Sequence, residues 1–162
     1  MFDNTFSALE VLEMAKDIEK NGYEFYNRQA QKAEDSELEQ LLLKLASDEE
    51  KHYDVFDKLS LEIKNETKNE TKEESEYIYT PKVSSYLESL VEFSVFSPEK
   101  ELETGSVKEV IAVAIRAEKD SILLYQEMLE NNSGKTHEII EKLIVEEKKH
   151  LMELMKYNAR KK

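Results

Sequence analysis

Two short motifs in this sequence pair a carboxylate with an imidazole at a spacing that lets both reach one point: Glu49-x-x-His52 and Glu147-x-x-His150. On a helix, residues three apart lie on adjacent turns of one face. Two further glutamates, Glu19 and Glu118, interrupt apolar stripes elsewhere, and each is followed seven residues later by a tyrosine, Tyr26 and Tyr125. Seven residues is close to two turns, so each phenol stays on the face of its glutamate and can orient a carboxylate there. Glutamate fills 29 of the 162 positions, so a single Glu-x-x-His carries no information. The repetition is what carries it. Glu19 and Glu118 are 99 residues apart, as are Tyr26 and Tyr125, while Glu49 to Glu147 and His52 to His150 each span 98. A duplicated helical hairpin produces that pattern and would build a site with approximate two-fold symmetry.

Four segments have the periodicity to position these groups. Apolar or small residues recur at Ala8, Leu12, Ala15, Gly22 and Tyr26, which predicts a helix over about 5–33. A second helix, 36–63, starts at a capping box of Ser36 and Glu39 and carries Leu38, Leu41, Leu45, Phe56, Leu59 and Ile63. A third, 106–131, starts at Ser106 and Glu109 and carries Val110, Ala114, Tyr125 and Leu129. The fourth, 135–159, is capped by Ser133 or Thr136 and carries Ile140, Leu143, Leu154 and Tyr157. Connections of a few residues make 5–63 and 106–159 antiparallel hairpins. Residues 64–105 form a long crossover between them. Its first part, KNETKNETKEESE, has no apolar residue and reads as a solvated helix extension or a tether, and a short helix is expected near 83–94. The fold class is therefore all-α: a four-helix bundle of two hairpins in one domain, 1–162.

Each stripe has a gap near its middle, filled by Glu19, by Glu49 and His52, by Glu118, and by Glu147 and His150. An unpaired ion in an apolar core costs several kcal/mol even after relaxation. Like charges brought together add to that cost, and no Lys or Arg lies on these stripes to offset them. Two divalent cations would balance four carboxylates, with the imidazoles completing the ligand set. Such donors suit iron or manganese, and zinc competes for them.

Composition narrows the remaining choices. The chain has 36 Asp+Glu against 23 Lys+Arg, a net charge of −13, with three Gly, two Pro and no Cys. Scarce Gly and Pro argue against an all-β fold, and the absence of Cys excludes disulfides, cysteine-held zinc and iron–sulfur clusters. The acidic surface disfavours nucleic acid as a partner. No apolar run is long enough to span a membrane and the N-terminus lacks a basic leader, so a soluble cytoplasmic protein is expected.

The fragments IEKNGYEFY (18–26), LASDEEKHYDVF (45–56), AIRAEKDSILLY (114–125) and IVEEKKHLMEL (144–154) resemble the ferritin-like di-iron carboxylate superfamily, nearest to its rubrerythrin branch. The resemblance covers about 5–60 and 106–158. It implies two iron ions, bridged by Glu49 and Glu147, with Glu19 and Glu118 as terminal carboxylates and His52 and His150 as one imidazole per metal. It further implies an oxidoreductase that reduces hydrogen peroxide or dioxygen with electrons from a separate donor protein, acting as a homodimer. A ferroxidase or iron-binding protein for storage or transfer, and a helical interaction protein with a structural metal, are the alternative readings. Two departures stand out. Rubrerythrins also carry a rubredoxin-like iron site held by four cysteines, which this sequence lacks, and Ser121 stands where they tend to place a further ligand Glu.

Overall fold

The computed structural model describes residues 5–69, 78–97 and 105–161, and among these five helices form: α1 (Ala8–Lys32), α2 (Ser36–Asn69), α3 (Pro81–Phe93), α4 (Val107–Glu130) and α5 (Gly134–Arg160). No strand forms among the described residues beyond an isolated bridge between Ser7 and Ile78. Helix α1 begins three residues later than its periodicity suggests, because Ser7 stops it. The Ser7 hydroxyl accepts from the Glu10 N–H, and the Glu10 carboxylate accepts from the Ser7 N–H. That is a reciprocal capping box.

The capping boxes expected at Ser36 and Ser106 do not form in full. Asp35 takes the cap position of α2, its carboxylate accepting from Glu37 N–H at 3.2 Å, so Ser36 is already helical. Ser106 does cap α4, through Glu109 N–H, but the Glu109 carboxylate accepts from Gly105 N–H rather than from Ser106. At the start of α5, Ser133 occupies the cap position without a side-chain bond, Thr136 lies inside the helix, and Gly134 adopts φ +62°. A left-handed residue there suits glycine, which has no Cβ to clash. Helix α2 runs six residues beyond its predicted end, so KNETKN of the polar run is a helical extension. The remainder of that run, 70–76, lies outside the described residues. The short crossover helix spans 81–93, with Thr80 as cap and Pro81 in its first turn, where a missing N–H costs nothing.

Side-chain pairs set the helix directions. Lys16 of α1 meets Asp57 of α2 at 2.8 Å, so this hairpin is antiparallel. Lys44 meets Glu153 at 2.5 Å and Lys135 meets Glu62 at 3.1 Å, while Arg160 pairs with Glu37, so α5 runs antiparallel to α2. Since α4 and α5 form the second hairpin, α4 runs parallel to α2. Only a crossover along the length of the bundle permits that. Tyr79 N–H donates to the Phe6 carbonyl at one end, and Asn21 donates to the Phe96 carbonyl midway along α1.

The core holds Val11, Leu12, Ala15, Ile18 and Phe25 from α1, and Leu38, Leu42, Leu45 and Phe56 from α2. From α4 and α5 it takes Val110, Ala114, Leu124, Ile140 and Leu154. Leu42 is fully buried and Leu41 only half-buried, a small rotation of α2 from its expected stripe.

At one end of the bundle the Tyr157 hydroxyl donates to Asp35 at 2.7 Å. Burial, then Asp35, pushes Tyr157 up from 10.0 to about 12. The same bond holds Asp35 below its ordinary 3.8. A phenol raised in the folded state contributes stability below its unfolded value and loses it as pH climbs from 10 through about 12. A carboxyl depressed in the folded state contributes above its unfolded value and loses that as pH falls. Tyr157→Phe should therefore lower Tm by about 2–4 °C near neutral pH. The gap from wild type should close in both acid and strong base, as measured by circular-dichroism melts across pH.

Candidate metal centre

The gaps in the four stripes meet at one level of the bundle. Glu19 and Glu147 are completely buried, and Glu49, His52, Glu118 and His150 are no more than 3 % exposed. Their ligand atoms fall into two overlapping groups, Glu19–Glu49–His52–Glu147 and Glu49–Glu118–Glu147–His150, with the atoms of each within 4.8 Å of one another. Glu49 and Glu147 belong to both groups. The remaining four residues divide evenly, one glutamate and one histidine to each. His52 Nδ1 lies 2.7 Å from Glu147 Oε1 and 3.6 Å from Glu19 Oε2, and His150 Nδ1 lies 3.7 Å from Glu118 Oε2 and 3.8 Å from Glu147 Oε2. The two rings stack with centroids 5.8 Å apart.

Both tyrosines reach across the hairpins. Tyr26 of α1 donates to Glu118 of α4 at 2.8 Å, and Tyr125 of α4 donates to Glu19 of α1. Each phenol thus orients the carboxylate of the opposite hairpin rather than the one two turns away on its own helix. Burial, then the carboxylates, pushes both phenols well above their ordinary range, so they remain donors.

Protein groups alone leave this centre incompletely satisfied. Glu19 Oε2, Glu118 Oε2, both Glu147 oxygens, His52 Nδ1 and His150 Nδ1 are buried without a hydrogen bond of acceptable geometry. Polar atoms left so are rare in folded proteins and costly. All six point into the two overlapping groups, which is the pattern that cation ligands leave.

Without a cation, burial and the neighbouring charges favour protons on most of these groups. Burial, then neighbouring acids, pushes Glu49 and Glu118 well above the ordinary carboxyl range. Burial disfavours charge on the imidazoles, but Glu147 and Glu19 outweigh it at His52, raising it to about 12. Glu118 and Glu147 do the same at His150, raising it to about 11. At Glu147 burial is outweighed by the close approach of Glu118, His150 and His52, which hold that carboxyl below its usual range. A cation entering the groups would displace these protons.

The profile of the rubrerythrin family matches residues 10–158. The chain belongs to the rubrerythrin family. A crystal structure described as a ferritin-like diiron-carboxylate protein from Thermotoga maritima is 25 % identical, with a TM-score of 0.70 over 98 % of this chain and 99 % of that one. No functionally curated protein matches the sequence. This rubrerythrin-family bundle is the ferritin-like fold expected from the sequence.

Three features of the centre escaped sequence reasoning. His52 Nε2 lies 2.7 Å from Glu146, and His150 Nε2 lies 2.8 Å from Asp48. A signal existed: an acid precedes each Glu-x-x-His glutamate, and Asp48 and Glu146 share the 98-residue offset. The third feature is the crossover itself. A Cβ on Gly22 would stand 3.2 Å from both Glu49 Oε2 and the Phe96 ring, so the missing side chain lets Phe96 close over Glu49. Ser121, one turn beyond Glu118, is buried and brings no carboxylate to either group.

An amide in place of Glu118 imitates the protonated form that burial and the neighbouring Glu147 favour there. Glu118→Gln should therefore leave the metal-free Tm no lower than wild type. With Co(II) at about 100 times its dissociation constant, the wild-type Tm should rise by roughly 5–10 °C, and the variant should lose most of that rise. Differential scanning calorimetry with and without metal reads both effects.

Proposed function

We propose that this protein is a di-iron oxidoreductase that reduces hydrogen peroxide or dioxygen with electrons from a separate donor protein. The observation that carries the reading is the pair of overlapping ligand groups sharing Glu49 and Glu147. Membership of the rubrerythrin family supports iron as the metal, and the relative from Thermotoga maritima is itself described as a diiron-carboxylate protein. When bound, a pair of ferrous ions supplies two electrons which, with two protons, reduce hydrogen peroxide to two waters.

The chain's own residues have separable tasks. Glu49 and Glu147 would hold both ions, Glu19 with His52 one of them, and Glu118 with His150 the other. Manganese or zinc could occupy the same donors. Tyr125 and Tyr26 keep Glu19 and Glu118 turned toward the centre. Phe96, packed against Phe25 and Tyr26 at centroid distances of 5.2 and 5.8 Å, excludes water on the crossover side. The 162 residues contain no cysteine, so no cysteine-held iron site within them can refill the centre, which supports a donor site lying outside them.

Anaerobic protein loaded with ferrous iron should bind two ions per chain and oxidise both for each peroxide added, followed by a ferrous-chelator assay beside a peroxide electrode. Glu49→Ala should lose the stoichiometry and the rate together. Peroxide loss no faster than with free ferrous iron would exclude the redox reading. Iron accumulating well beyond two ions per chain, in a particle sedimenting as a cage, would favour storage. Tyr125→Phe should retain both ions while slowing peroxide reduction by about 10-fold, because the Glu19 carboxylate loses its donor.

A further inference from the structure

The hydrogen bonds that hold the two imidazoles repeat across the bundle with opposite partners. His52 on α2 presents Nδ1 to Glu147 and Glu19 and turns Nε2 outward to Glu146 on α5. His150 on α5 presents Nδ1 to Glu118 and Glu147 and turns Nε2 to Asp48 on α2. With a cation held at Nδ1, the neutral ring must carry its one hydrogen on Nε2, where the carboxylate behind it accepts. Asp48 and Glu146 each immediately precede a glutamate common to both ligand groups. One turn of backbone therefore delivers a carboxylate to the centre and a second carboxylate to the imidazole opposite.

The structure assigns Asp48 and Glu146 as positioning residues that select the tautomer and orientation of His150 and His52, and it ranks them unequally. This inference rests on the di-metal reading of the centre. The ranking comes from exposure. Asp48 is 21 % exposed and also lies 3.5 Å from Lys51, whereas Glu146 is 52 % exposed. Water competes for a hydrogen bond at an exposed carboxylate far more than at a shielded one. The ring of His150 is thus the more firmly held, and the metal position it serves is the tighter of the two. The His52 position is the one that loads last and empties first.

Cobalt(II) titration of the full chain tests this, with d–d absorption reporting coordination and equilibrium dialysis counting ions. Wild type should take up two ions in two distinguishable steps. Glu146→Gln should weaken only the weaker step and Asp48→Asn only the tighter one, each by about 10–100-fold, with the larger loss for Asp48→Asn. In a His52→Ala background, Glu146→Gln should add no further loss, because its effect passes through that ring. In the zinc-loaded protein, nitrogen NMR should show the ring hydrogen on Nε2 of both histidines, and that hydrogen should exchange faster with water on one ring in each variant than in wild type. Wild type that binds no cobalt overturns the metal reading and this inference with it. Wild type that binds two ions, beside variants that bind both with unchanged affinity or lose as much again without His52, overturns this inference alone.

Discussion

Four carboxylates and two imidazoles buried at one level of a helical core are the constraint around which the rest of the molecule is arranged. Such a cluster opposes folding, since desolvation and like-charge repulsion act in the same direction. It persists because the surrounding bundle is apolar enough to fold around it, and because burial and the neighbouring charges shift Glu49, Glu118 and the histidines toward their protonated forms when no cation is there. Native proteins rarely leave so many buried polar atoms without partners. Six such atoms aimed into two overlapping groups mark the candidate metal site.

The hydrogen bonds that hold the cluster tie the two hairpins together. Tyr26 to Glu118, Tyr125 to Glu19, Glu146 to His52 and Asp48 to His150 all run from one hairpin to the other. A hairpin alone would supply carboxylates without the donors that orient them, and donors without their carboxylates. Docking of the hairpins and construction of the centre are consequently one event. The crossover contributes as well: Asp120 accepts from Val95 N–H at 3.0 Å and Asn21 donates to the Phe96 carbonyl, which pins Phe96 over Gly22 beside Glu49.

The helices and the six inward-facing ionisable residues were legible because both obey short-range rules. A 3.6-residue period places Glu49 with His52, and Glu147 with His150, whatever the hairpins do afterward. A charged residue interrupting an apolar stripe shows itself against that stripe. Helix starts were less legible. Ser36 and Asp35 are both good caps, and the choice went to Asp35, whose carboxylate also receives Tyr157, 122 residues away. No local pattern contains that second partner.

By itself, then, the sequence determined four core helices, their pairing into hairpins, and the six residues on their inward faces, because each follows from periodicity, link length and a duplicated spacing. Only the tertiary structure decided who completes each group. The tyrosines serve the far hairpin, Asp48 and Glu146 stand behind the opposite imidazoles, and a phenylalanine from the crossover closes over a glycine. These partners lie about 75 to 106 residues apart in the chain. Periodicity describes one helix at a time. Which faces meet, and at what level, follows from packing two hairpins around a charge cluster that neither could bury alone.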